Sequence, residues 1–310
     1  MNEDTGMKRR MFLALAGSAA VAAAAGVGRA SAAEPAWRVT TIPLDMKAPS
    51  ALAVGPDGAI YVAGEDVVMM LSADGQARLR FAVPGRPGCL AITPDGRLLA
   101  GMRGHVEVLK TDGSKAGAWP DLGDRAWLTS IACDEENVYV ADAGNRIVWR
   151  FDGCGKMLNR IGEKFIVPSP YFDVAINPIG ELWVVNPGMH GLENYRPGGD
   201  LVSSWRRPGI EPDSFCGCCN PIHIAFRTDN SLVTAEKGVA RIKVYSPDTT
   251  LLEVVAAPAA GPTQNSATLG CNIEAAVADL AVDGKNRILV LNKFEKAILV
   301  YEQPAEKGAA

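Results

Sequence analysis

The sequence predicts an all-β chain, a six-bladed β-propeller whose N-terminal strand closes the last blade. Three observations predict it. One short motif, an apolar strand carrying a central alanine, a tight turn and a second apolar strand, recurs six times. The 32 glycines and 20 prolines supply turns at the density an all-β chain needs. The sixth unit stops after three strands, while an orphan strand, Trp37 to Ile42, precedes the first unit. Pairing that orphan with the last unit removes an open sheet edge.

The chain begins with an address. Lys8-Arg9-Arg10 precedes an apolar, alanine-rich run from Leu13 to Val27, and Ala30-Ser31-Ala32 supplies a small-x-small cleavage site. Residues 1–32 are therefore expected to be a twin-arginine signal peptide, and residues 33–310 a single propeller domain. The expected location is periplasmic or otherwise extracytoplasmic. Net charge is −4, and removing residues 1–32 takes away four basic and two acidic side chains, which leaves −6. No basic excess marks a nucleic-acid surface, and no later stretch is apolar enough to span a bilayer.

The six units follow in order. Pro49 to Ala63 carries the Pro56-Asp57-Gly58 turn, and Gly88 to Ala100 carries Pro94-Asp95-Gly96. The motif returns at Ser130 to Val140, Asp173 to Val184, His223 to Thr234 and Asp279 to Val290. Ala53, Ala91, Ala132, Ala175, Ala225 and Ala281 mark the six inner strands, where converging sheets leave room only for small side chains. Third strands such as Val67 to Leu71 and Ile147 to Phe151, with a looser fourth, complete units of about 40–50 residues, the repeat length of a propeller blade.

With strands lettered A to D from axis to rim, the loops sort onto two faces. The D–A and B–C loops share one face, and the tight A–B and C–D turns share the other. Ser214-Phe215-Cys216-Gly217-Cys218-Cys219-Asn220-Pro221-Ile222-His223 enters blade five as a D–A loop. Cys271 lies in the next D–A loop, so four of the seven cysteines fall on one face. His105 and His190, in B–C loops, lie there too. Two places before the marker alanines stand Ala51, Cys89, Ser130, Asp173, His223 and Asp279, which brings Asp173, His223 and Asp279 toward the channel mouth. Cys89 and Cys133 read as small buried hydrophobes. Cys154, in a Gly-Cys-Gly turn, belongs to the far face.

Cys216, Cys218, Cys219 and Cys271 form a Cys₄ set suited to an iron–sulfur cluster or zinc. Cysteine with His223 and His190 suits copper instead. Asp173 and Asp279 are further candidate ligands, or groups that hydrogen-bond backbone in the channel. In an oxidising compartment the same cysteines can form disulfides, with Cys271 tied to one of the three. Glu236 and Lys237, beside the thiol loop, balance its charge or form a plain surface pair.

The repeat resembles the NHL family, on Asp142-Ala143-Gly144-Asn145-Arg146-Ile147 above all and over about residues 37–302. Phe215-Cys216-Gly217-Cys218-Cys219-Asn220-Pro221, with His190 to Tyr195, Thr234 to Gly238 and Arg241 to Tyr245, resembles exported bacterial NHL-repeat proteins. That resemblance implies a shared site without naming a reaction. NHL-type lyases and lactonases use metals on this face, which His105, His190, His223, Asp173 and Asp279 would serve here. No Gly-x-Ser-x-Gly elbow, P-loop or His-Glu-x-x-His motif is present. The expected function is thus a cysteine-ligated metal or iron–sulfur site acting in electron transfer, or as partner of a redox or respiratory protein. The rivals are a disulfide-stapled binding scaffold and a metal-dependent hydrolase or lyase.

Overall fold

The computed structural model describes residues 37–162, 165–238, 241–256 and 275–303. Residues 1–32, where a signal peptide is expected, and Cys271 lie outside the described residues. The chain from Ala36 onward forms one compact unit. It consists of six four-stranded antiparallel sheets, a six-bladed propeller. The inner strands are Ala51–Val54, Cys89–Ile92, Leu128–Cys133, Val174–Ile176, His223–Phe226 and Val277–Val282. In the first five blades the strands follow chain order from axis to rim. The sixth blade takes its outermost strand, Arg38–Pro43, from the start of the ring, paired in register from Arg38↔Glu302 to Pro43↔Ala297.

The hydrophobic core is divided into six seams, one between each pair of neighbouring blades. In Ile60–Ala63 all four residues are buried. Ile60 and Val62 face the seam with blade six, whereas Tyr61 and Ala63 face the seam with blade two. Both sheet faces are covered, so inner strands read as continuous apolar runs and not as an alternation. Outer strands are different: Leu201–Arg206 is mostly exposed.

The marker alanines sit in the seams between blades. Ala53 packs in the seam between blades one and two, Ala91 in the next, and the remaining four repeat this placement around the ring. Each faces the following blade. Small side chains are needed because neighbouring inner strands approach each other most closely there.

Three of the positions two residues earlier, Ser130, Asp173 and Asp279, latch blade to blade. Val174 N–H donates to Ser130 Oγ at 3.3 Å. Asp173 Oδ2 accepts from Ile224 N–H at 2.7 Å, and Asp279 Oδ2 accepts from Leu52 N–H at 2.7 Å. Each latch satisfies an inner-strand donor that the sheet itself leaves unpaired. Among the described residues no helix is long and apolar enough to cross a membrane.

Candidate functional site

On the D–A/B–C face, a cavity of about 800 Å³ opens over the channel mouth. The blade-one-to-two link contributes Arg86, and the B–C loops of blades two and six contribute Arg103 and Lys293. The segments entering blades three and four contribute Trp127, Ser169 and Tyr171, and His223 lies at the inner wall. The Arg103 guanidinium stands 4.8 Å from the centre of the Trp127 ring. Tyr171 meets the His223 ring edge-on, 6.3 Å centre to centre.

His223 is 7% exposed. Its Nδ1 faces Asp173 Oδ2 at 3.5 Å and Asp279 Oδ1 at 3.8 Å. Those are ion-pair separations, too long for a good hydrogen bond, and neither ring nitrogen has a hydrogen-bond partner. Burial pulls the His223 pKa down, but the Asp173 and Asp279 carboxylates outweigh it and hold it above its usual value, against a smaller opposing push from Lys293. Burial raises Asp279 to about 6, helped by the Asp173 charge and opposed by His223. The carboxylates are oriented by backbone donors: Ile224 N–H and Val174 N–H for Asp173, Leu52 N–H and Leu280 N–H for Asp279. They therefore hold the imidazole in place, with Nδ1 toward them, as a carboxylate orients a proton-transferring histidine.

The cysteine loop lies beside this cavity, held by a network of ion pairs and hydrogen bonds. Phe215 is fully buried, with Trp205 at 5.4 Å and Tyr245 at 6.0 Å between ring centres. Ser214 C=O accepts from Lys243 Nζ at 2.9 Å and from Arg241 Nη2 at 3.0 Å. Glu236 and Lys243 are both completely buried and form a 2.6 Å ion pair, and Arg241 reaches the other Glu236 oxygen at 3.0 Å. Asn220 Nδ2 donates to Cys216 C=O at 2.6 Å and to Lys237 C=O at 3.0 Å, while Lys237 N–H returns a bond to Asn220 Oδ1 at 2.9 Å. Glu236 and Lys237 are thus not a surface pair. Both are buried, and Glu236 pairs with Arg241 and Lys243. B–C loop residues next to a closed seam have no solvent to face.

Among the described cysteines, Cys218 is disulfide-bonded, and Cys89, Cys133, Cys154, Cys216 and Cys219 are free thiols. The Cys218 partner therefore lies outside the described residues. Cys219 is completely buried, with its Sγ 3.2 Å from Cys218 Sγ and accepting from Ser169 Oγ at 3.2 Å. Lys237 Nζ donates to the same Ser169 Oγ at 3.2 Å, so Ser169 touches both the cavity and the thiol loop. Burial raises the Cys216 thiol, and Glu236 raises it further. Cys89 is buried, its pKa pushed well up by burial, and Cys133 is raised to about 12 by the same cause. Cys154 is exposed in the turn after Phe151. His190 caps a single 3₁₀ turn, Pro187–Met189, in a left-handed conformation, and its Nδ1 is buried without a partner. His105 pairs with Glu107 at 3.1 Å.

Among the described residues, no three His, Cys, Asp or Glu side chains converge as a metal-ligand set. At the channel mouth the misfit has a physical cause. The oxygens of Asp173 and Asp279 already accept backbone N–H groups, and the cavity beyond His223 is lined by cations.

Sequence reasoning missed Arg86, Arg103, Trp127, Tyr171 and Lys293, which are isolated loop residues with no diagnostic spacing. It also missed the role of Lys243. One signal was available: a lysine between Ile242 and Val244 in a strand buried on both faces must have a buried partner.

No protein-family model matches the chain, and no curated protein sequence matches it. Many solved structures match its fold. A gluconolactonase from Xanthomonas campestris is 16% identical, covers 86% of this chain and 90% of its own, and superposes with a TM-score of 0.64. Virginiamycin B lyase from Staphylococcus aureus is 13% identical, covering 86% and 99%, with a TM-score of 0.61. Hydrazine synthase of Kuenenia stuttgartiensis is 16% identical, covering 83% and 84%, with a TM-score of 0.57. At these identities the likeness is one of fold.

Proposed function

We propose that this propeller is an exported acid–base enzyme of the lyase or hydrolase class, working at the channel mouth with His223 as its proton-transferring residue. The observation that carries the reading is His223 itself: buried, oriented by two carboxylates, unpartnered at both nitrogens and open to a cavity. A gluconolactonase and a lyase among proteins of the same fold support the reaction class by analogy only. In the proposed step, Nε2 takes a proton from a substrate carbon or from an attacking water. The imidazolium, stabilised by Asp173 and Asp279, then returns that proton to the leaving oxygen. A pKa held above the usual histidine value suits a base working near neutral pH.

The test is a proton-release assay on a panel of lactones, cyclic esters and elimination substrates. Wild type turns over at least one of them, and His223→Asn lowers kcat by about 10²-fold or more, the usual contribution of a general base. An unchanged rate in His223→Asn removes the assignment.

A second reading has its own observation, the three cysteines of one loop with two sulfurs 3.2 Å apart. Once the Cys218 disulfide is reduced, Cys216, Cys218 and Cys219, with Cys271, offer thiolates to an iron–sulfur cluster, zinc or copper, with His223 and His190 as further ligands. The protein then serves electron transfer or partners a redox or respiratory protein. Anaerobic purification with metal analysis tests it: stoichiometric metal that is lost in Cys219→Ser supports this reading, and metal-free protein ends it. Either function is proposed to operate outside the cytoplasm, after export of the NHL-type domain by the twin-arginine route. Replacing Arg9 and Arg10 with lysine should then leave the precursor inside.

A further inference from the structure

We infer that the channel-mouth cavity takes a small organic anion, a carboxylate or phosphate ester on a flat body, recognised by Arg86, Arg103 and Lys293. The inference deepens the acid–base reading and rests on it for the identity of the site. The cavity lining holds three permanently cationic side chains and no carboxylate. That is a local inversion of sign on a chain whose net charge is −4. Among the described residues neither Arg86 nor Arg103 forms an ion pair with a carboxylate. Asp173 and Asp279 stand behind the imidazole and are committed to backbone donors, so they do not cancel the charge at the front. Arg86 and Arg103 also line a second, smaller hollow with Asp121 and Asp124, and there Asp121 accepts from Gly123 N–H at 2.6 Å.

Two features make this a built site and not a chance cluster of surface charge. The buried His223, whose Nε2 has no hydrogen-bond partner, offers a polar contact to a ligand in this cavity. Trp127 and Tyr171 add aromatic surface, and the Arg103 guanidinium already stacks on Trp127. A flat anion can continue that stack while its charged group meets the guanidinium fork, the geometry for which arginine is suited. Three cations in one concavity also draw anions in from solution and slow their escape.

The test is calorimetric titration of the full, disulfide-intact protein with four probes of one shape: benzoate, phenyl phosphate, neutral benzamide and cationic benzylammonium. The expected result is that one or both anions bind at least about tenfold tighter than benzamide and benzylammonium, and that binding weakens as salt rises. Charge-assisted hydrogen bonds of this kind are each worth roughly tenfold in affinity. The double variant Arg86→Glu/Arg103→Glu should therefore lose about a hundredfold. Both residues are exposed, and circular dichroism checks that the variant folds. Lys293→Met is the second variant, with about tenfold loss expected. Equal binding of benzamide, or undiminished anion binding in the double variant, overturns the inference. The two readings fail separately. Anion binding without turnover of any panel substrate sinks the acid–base reading and leaves the ligand class standing. Turnover confined to neutral or cationic substrates sinks the ligand class and leaves the acid–base reading.

Discussion

The channel-mouth cavity and the cysteine loop are neighbours that share Ser169, yet they handle polar groups in opposite ways. Around the loop the buried charges are paired with one another. Glu236 is shared between Lys243 and Arg241, Ser214 C=O takes two cationic donors, and Asn220 ties the Cys216 loop to the loop at Lys237. At the cavity Arg86 and Arg103 form no ion pair among the described residues, and His223 Nε2 has no hydrogen-bond partner. A network of paired charges holds a shape, whereas unpaired groups are open to a ligand. In the proposed acid–base reading the clustered cysteines, the most conspicuous residues of the sequence, belong to the framework, and His223 takes the central role.

Breaking the paired side should give the largest effect. Glu236→Ala leaves the Lys243 ammonium buried without its partner, at a cost of roughly 3–5 kcal/mol. Replacing both, as Glu236→Leu/Lys243→Met, should recover most of that loss. Chemical denaturation measures both, and a Glu236→Ala loss below about 1 kcal/mol would show that the pair is not a structural pin. Next in size is the disulfide. Cys218→Ser, or reduction of wild type, should lower stability by about 2–4 kcal/mol. Adding reductant to Cys218→Ser should then change nothing further, which melting curves with and without reductant will show.

A pH experiment probes the cavity side. Asp279 has a folded pKa raised to about 6 from an ordinary value near 4. A raised carboxyl favours folding while it is protonated. Its contribution is complete below about pH 4 and fades as pH climbs through about 6. The difference in unfolding free energy between wild type and Asp279→Asn should therefore drift against wild type across that window, by on the order of 2 kcal/mol. His223 has the same sign, since its folded pKa is also raised: its contribution is complete below about 6.5 and is lost as pH rises through the folded value. A flat difference curve from pH 4 to 7 would show that burial does not raise Asp279. The smallest effect belongs to Cys154→Ser. That residue is exposed in a far-face turn and should shift stability by less than about 0.5 kcal/mol, leaving both the anion titration and the response to reductant unchanged.

The fold was legible because repetition multiplies a weak signal. One alanine-bearing strand says little, whereas six in register set the blade count, and the strand before the first unit supplied the closure. Ala53 and its five counterparts lie in the seams between neighbouring blades, where the converging sheets crowd, and the structure adds only which neighbour each one faces. The register that aligns Asp173, His223 and Asp279 was also readable, because it follows from counting back from those alanines. The cations around His223 were not. Arg86, Arg103 and Lys293 come from three unrelated loops, and only ring closure brings residues 86 and 293 to one hollow. Glu236 misled for the opposite reason. An acidic residue next to a lysine in a loop ordinarily means solvent, and only tertiary packing buries it.

The strand borrowed by the sixth blade has a consequence for how the molecule is made. Arg38 and Glu302 meet across 264 residues of chain, so the last seam cannot close until nearly the whole domain has left the ribosome. Until then the first blade presents Leu52, Ile60 and Val62 on a bare flank, the flank later covered by Leu289, Leu291 and Ile298. Contacts of such long range are the slowest to form. Synthesis of this ring therefore includes an interval in which five blades stand assembled around an open seam, and a factor that shields apolar β-surface during that interval would govern its yield.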